Sequence, residues 1–416
     1  MMESAIQRPK SVSTVFLDQP PSCLQFCPAA PDYVVIGTYL LSETRDSEDE
    51  GDVQQTKTGS LQLWKIDPIA NTLSCVQRLP LPYAVFDLHF HPRDPTLLAI
   101  AGSSGCVALF KVSLASSVDE AITPIWTISV HEDPSIPALF LAWTPEHWLT
   151  QEKADGFAVT FSDGRTTVFG TSGDITESDK VVDLGTFSAR QMIEVWFVAL
   201  ATFHDGEEQE TDSPTPRVPF LFTGDDFGSL HTRRFDVENS SDGDDDGRGM
   251  PPALLDYDDR ARHHTSGVTA ILPLPLPMVE DSPLLLTGSY DEHLRMYHAT
   301  RRGNVLAELS LGGGVWRLQP LGVENMTFLS GTGPQEWRFL VLASCMHGGA
   351  RVVRITGDGE HQWNIEVLAE FTEHESMNYA SDVWKGGQGI GGKKSELLCL
   401  SSSFYDRRVC LWRMNV

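Results

Sequence analysis

The stretch LLLTGSYDEHLRMYHA, Leu284 to Ala299, decides the fold. An apolar run of strand length closes on Thr287-Gly288-Ser289, a turn carrying Asp291 follows, and apolar residues then alternate with polar ones up to Tyr297. Period-two alternation marks a strand, and two such runs joined by a short polar turn make a β-hairpin.

The pattern returns along the chain. It appears in VVIGTYLL with GSLQLWKID (Val34 to Asp67), LLAIAGSSGCVALFKV (Leu97 to Val112), FAVTFSDGRTTVFG (Phe157 to Gly170) and FLFTGDDFGSLHTRRFD (Phe220 to Asp236). FLVLASCMHGGARVVRI (Phe339 to Ile355) and LLCLSSSFYDRRVCLWR (Leu397 to Arg413) complete seven copies. Spacings of roughly forty to sixty residues fit blades packed around an axis. Five apolar segments precede hairpins and are expected as first strands: Val85 to Pro92, Ala138 to Pro145, Glu194 to Ala201, Gly267 to Leu274 and Gly313 to Pro320. The last copy ends almost at the C-terminus, so Val12 to Leu17 is expected to supply its missing strand and leave no free sheet edge. The expected fold is all-β, one seven-bladed WD-repeat β-propeller over residues 1–416, closed by an N-terminal strand.

Composition narrows the function. A net charge of −26 opposes a nucleic-acid partner, because phosphate binding needs a basic stripe. Much of the excess lies in polar acidic stretches read as loop insertions, about 42–58, 204–217 and 237–250. No apolar run approaches a bilayer span and the N-terminus reads as neither signal nor transit peptide, so a cytoplasmic monomer off the membrane is expected. Seven scattered cysteines suit a reducing compartment. Cys23 and Cys27 have no second ligand pair at finger spacing, and His89 and His91 have no obvious carboxylate or third histidine, so neither a metal nor a cofactor is expected.

In order, TGDDFGSL, HHTSGVTAI with LLTGSYDEHLRMY, GGGVWRL, SCMHGGARVV, HESMNYASD and SSFYDRRVCLW resemble the WD-repeat family of diphthamide synthesis, the diphthine methylesterases, also called diphthine methyltransferases. The likeness runs from Gly37 to the final Leu-Trp-Arg. It departs near the N-terminus, where the family tends to carry acidic residues and this chain has Ser22 and Gln25. The resemblance implies hydrolysis of the methyl ester of methylated diphthine on a histidine of translation elongation factor 2, which would then be the partner. A methyltransferase proper is not expected, since no glycine-rich strand-to-helix turn is present. A non-catalytic scaffold is the competing expectation, because the fold alone does not assign a reaction.

Ester hydrolysis needs a base, a nucleophile or activated water, and donors for an oxyanion. No Gly-x-Ser-x-Gly elbow and no His-Glu-x-x-His motif appears. The unusual motifs fall in loops and turns that a propeller gathers on one face, bringing Asp225, Asp226, Glu375 and Asp406 toward the residues that follow. His347, in the turn place that Asp fills elsewhere, His264 and Asp291 are the candidate catalytic residues. For His264, Ser289 and Asp291 the alternative is the structural hydrogen-bond network of such repeats. Gly313 and Gly314, with Gly312, are candidate oxyanion donors beside Trp316 and Arg317. The substrate that the resemblance implies carries a trimethylammonium group, which favours aromatic faces with carboxylates nearby. Trp196, Tyr290, Trp316 and Tyr405 are its candidate walls, with Glu194 beside them; ordinary packing is the alternative for each.

Overall fold

The computed structural model describes residues 5–45, 53–114, 120–149, 155–171, 173–204, 217–236, 250–325, 337–358, 362–386 and 396–416. Its strands form seven antiparallel sheets in chain order, the arrangement of a seven-bladed β-propeller. The expected fold class is borne out.

Blade one contains Pro21–Phe26, Tyr33–Thr38, Val53–Asp67 and Thr72–Leu81, and blade two Val85–Phe90, Leu97–Gly102, Cys106–Val112 and Ile122–Ser129. Blade three has Ala138–Trp143, Asp155–Phe161, Arg165–Thr171 and Val182–Ser188; blade four has Val195–His204, Arg217–Asp225, Leu230–Phe235 and Ala253–Asp258. Blade five is built from Val268–Pro273, Leu284–Ser289, His293–His298 and Asn304–Ser310, and blade six from Arg317–Asn325, Trp337–Ser344, Ala350–Gly357 and Trp363–Phe371. Blade seven takes Ala380–Val383, Glu396–Ser403 and Arg408–Asn415, and its fourth strand is the N-terminal Ser11–Phe16. Thr14 lies opposite Cys410 and Val15 opposite Val409, which realises the expected closure.

Burial follows position within a blade. Second strands such as Leu97–Gly102 and Leu284–Ser289 are buried at every residue, as a strand covered on both faces must be. Fourth strands such as Ser11–Phe16 expose alternate residues, since one face meets solvent.

The chain falls into two compact units, 1–8 with 140–372 and 9–139 with 373–416. In the first, Leu286, Met296, Val341 and Ile355 fill the space between blades five and six, while Phe220, Phe222, Leu285 and Tyr297 fill that between four and five. In the second, Leu63, Leu98, Ile100 and Phe110 join blades one and two, and Val34, Ile36, Leu400 and Leu411 join seven and one. Full burial of such side chains stabilises by about 1.5–3 kcal/mol each.

Three details differ from or extend the sequence reading. The first acidic stretch is strand at both ends: Leu40–Arg45 pairs with the start of Val53–Asp67, Leu40 opposite Thr58, while residues 46–52 lie outside the described residues. Residues 205–216 and 237–249 of the other two stretches lie outside them as well. His89 does have a carboxylate beside it, Asp87 at 2.8 Å, and His91 is buried with Nδ1 accepting the Asp94 N–H at 2.9 Å. Both histidines thus have structural partners.

Candidate functional site

A repeated irregularity aims the first side chain. In blade four Val195 pairs with Asp225 and Phe197 with Gly224, so Trp196 is an extra residue bulged out of the ladder. A bulge re-aims its side chain relative to regular pleating. The indole that emerges is half-buried and donates from Nε1 to Asp226 Oδ1 across 2.7 Å. Asp226 is itself fixed, because its N–H donates to the Glu194 carbonyl at 3.0 Å.

Tyr290 and Trp316 come to this indole from two other places. Tyr290 begins the turn after Leu284–Ser289, its N–H bonded to the Gly267 carbonyl at 2.9 Å; Trp316 precedes Arg317–Asn325, its N–H bonded to the Ser344 carbonyl at 2.8 Å. The three rings touch pairwise: Trp196 to Tyr290 at 6.2 Å between centroids, Trp196 to Trp316 at 5.6 Å, and Tyr290 to Trp316 at 5.8 Å. Three of the four expected aromatic walls are thus brought together. Tyr405 belongs to the other compact unit, where it is exposed, bonded through its N–H to Ser376 Oγ and packed edge-on to Phe404.

Arg317 supports this cluster from one side. Its guanidinium lies 4.7 Å from the ring centroids of both Trp316 and Phe140, and Nη1 donates to the carbonyls of Thr269 and Trp316. One face of Trp316 therefore already carries a cation.

The glycines are required where they stand. A Cβ on Gly313 would collide with the Cys345 carbonyl and come within 2.6 Å of Gly348 N; one on Gly314 would lie 2.7 Å from Met346 Sδ and 3.4 Å from Tyr290 Cα. The loop through Gly312 to Gly314 is consequently pressed against the Cys345–Gly349 turn on one side and Tyr290 on the other. Among the described residues no acceptor engages the N–H of Gly313 or Gly314.

His347, at the tip of that turn, is exposed, with Nε2 3.5 Å from Glu292 Oε1. The other two expected catalytic residues occupy structural positions. His264 is 1% exposed, Nε2 is 2.9 Å from Thr287 Oγ1, and burial, with the charge of Arg295 second, pushes its pKa down to about 3. It cannot reach a substrate from there. Asp291 receives Arg295 Nη1 at 2.8 Å and the backbone N–H groups of Thr265 and His293. Against the opposing effect of burial, these bonds hold its pKa at about 2. It braces its hairpin turn.

Blade seven repeats the structural device with residues not picked out from sequence: His374 Nε2 lies 2.8 Å from Ser401 Oγ, which also accepts the Trp412 indole N–H at 3.0 Å. The histidine heading HESMNYASD was the available signal. Asp225, next to Asp226, is buried, and burial pushes its carboxyl up to about 6 while it accepts the Ser229 N–H. Glu292 escaped notice because its partnership with His347 spans two blades.

Seven repeated antiparallel sheets closed by an N-terminal strand, with His–Thr and His–Ser hydrogen bonds inside blades five and seven, define a β-propeller of the WD-repeat type. Its relatives narrow that class. The chain is 26% identical over 402 residues to the protein named diphthine methyltransferase of Schizosaccharomyces pombe, covering 96% of each. It is 25% identical to the Saccharomyces cerevisiae protein of that name, covering 98% of this chain and 99% of that one, and 23% identical to the human one, covering 89% and 74%. No family model matches. Among solved structures, Chaetomium thermophilum Sqt1 bound to the N-terminus of a ribosomal protein aligns over 95% of this chain and 86% of that one with a TM-score of 0.53. At 14% identity this likeness concerns the fold alone.

Proposed function

We propose that this chain acts in diphthamide biosynthesis, in the cytosol, by hydrolysing the methyl ester of methylated diphthine on translation elongation factor 2. The names of its relatives support the pathway; their name denotes methyl transfer, whereas the reading here is methyl removal. The observation that carries it is the Trp196–Tyr290–Trp316 cluster, adjoined through Tyr290 by the glycine loop that packs on the His347 turn.

In this reading the aromatic faces hold the trimethylammonium group of the substrate. His347, beside Glu292, takes a proton from water as the water oxygen attacks the ester carbonyl carbon. The N–H groups of Gly313 and Gly314 receive the negative charge on the carbonyl oxygen. The bond from carbon to the methoxy oxygen then breaks, and the proton held on His347 passes to the leaving oxygen. Methanol and the free carboxylate result.

The structural roles of His264 and Asp291 favour the scaffold reading to this extent: they leave one of three expected catalytic side chains exposed. Mass spectrometry of the modified elongation-factor peptide separates the two. Loss of the ester methyl with the trimethylammonium retained supports hydrolysis; an unchanged peptide under complex formation supports the scaffold.

A further inference from the structure

Asp226 stands apart from the other turn carboxylates around it. Asp291 is ion-paired with Arg295, and the carboxylate of Asp259 takes the Tyr297 hydroxyl and two backbone N–H groups. Asp226 Oδ1 accepts only the uncharged indole N–H of Trp196, and among the described residues no cation faces the carboxylate. A half-buried carboxylate without a counter-ion costs free energy that a protein recovers when a cation binds.

Its position relative to the rings is set by Gly267. A Cβ built there would stand 2.9 Å from Tyr290 Cδ2 and 3.1 Å from Asp226 Oδ1, so the ring edge and the carboxylate flank the same point. The carboxylate is also bonded to Trp196, whose ring contacts both others. Arg317, over one face of Trp316, would repel any second cation brought to that ring, and only a nearby negative charge offsets this.

From these relations we infer that Asp226 is the counter-ion of a quaternary-ammonium subsite, its negative charge selecting a cationic ligand over a neutral one of the same shape. The three rings touch one another, so the alkylammonium group seats over their exposed faces rather than between them, with Asp226 at the edge. Gly267 keeps that edge open: a side chain at this position would occupy the space that the methyl groups take. The inference rests on the proposed function only for what carries the cation; the selectivity itself is a property of these four side chains.

The test uses the full chain, with choline and its neutral carbon isostere dimethylbutanol as probes and tryptophan fluorescence as the readout. The wild type is expected to bind choline about tenfold more tightly than the isostere. Asp226→Asn keeps a hydrogen-bond acceptor for Trp196 but removes the charge, and should abolish the preference while leaving isostere binding unchanged. Trp196→Phe, which removes the indole N–H and leaves a carboxylate and an aromatic ring, should retain a preference for the cation. No choline binding by the wild type, or a preference undiminished in a folded Asp226→Asn variant, overturns the inference. Choline selectivity without ester hydrolysis would remove the proposed function and leave this subsite standing. Hydrolysis of the cationic ester indifferent to Asp226→Asn would do the reverse.

Discussion

The hydroxyl of Tyr297 donates to Oδ2 of Asp259 across 2.9 Å, and both residues are buried. This bond ties the third strand of blade five to the loop that leads into the blade. Asp259 also accepts the N–H groups of Leu230 and Ala261, and burial raises its carboxyl above the ordinary range. Tyr297→Phe leaves that oxygen short of a donor in a dry site, and is expected to cost about 1–3 kcal/mol in chemical denaturation. A change near zero would mean that the oxygen finds another donor.

His264 makes stability depend on pH in a definite direction. Its folded pKa of about 3 lies below the ordinary 6.5, so between those values the unfolded chain binds a proton that the folded chain refuses. This contribution is intact above about pH 6.5 and is lost as pH falls toward 3, by up to about 1.4 kcal/mol per pH unit. His264→Gln removes that dependence. The variant should be less stable than wild type at pH 7.5, and the gap should narrow by about 2 kcal/mol at pH 5. A gap that stays constant would show that His264 titrates normally in the folded protein.

The two glycines of the loop should differ in their tolerance. Gly313→Ala drives a methyl group into backbone, the Cys345 carbonyl and Gly348 N, whereas Gly314→Ala meets first the flexible end of Met346. We expect Gly313→Ala to lower stability by about 1–3 kcal/mol and to shift the loop, with Gly314→Ala milder by thermal denaturation. Equal effects would place the flexible contact and the rigid one on the same footing.

Ser11–Phe16 occupies the last ladder position of blade seven, and the N–H and Oγ of Ser11 are both held by Glu373. Removing residues 1–16 uncovers the backbone edge of Arg408–Asn415, which invites pairing with another chain. The shortened protein should melt earlier and associate in sedimentation experiments. A monomer of unchanged melting temperature would contradict the strand's role in closure.

Hairpins were legible because both signals are local: period two within each strand and a polar turn between them, as in Leu284 to Ala299. Closure by the N-terminus followed from the seventh copy ending at Arg413. The strand Leu40–Arg45 was hidden because its polar Ser-Glu-Thr-Arg half reads as loop, and only its pairing with Val53–Asp67 makes it a strand. Residue type together with the cation that the resemblance implies was enough to nominate Trp196, Tyr290 and Trp316, because all three fall beside the turns and loops that carry the unusual motifs. It was not enough for His264, whose burial depends on the Thr287 hydroxyl 23 positions away and the Tyr297 ring at 5.7 Å. Nor could sequence single out Asp226 from Asp225, because a bulge in a different strand decides which carboxylate meets the indole.

The proposed reaction turns on one bond, the methyl ester on the modified histidine. The most direct measurement is methanol released from elongation factor 2 carrying methylated diphthine, with wild type compared with His347→Ala. Hydrolysis with His347 as base requires methanol in step with ester loss for the wild type, and a fall of about a hundredfold or more in the folded variant. A wild type that binds the substrate protein and releases no methanol would contradict it.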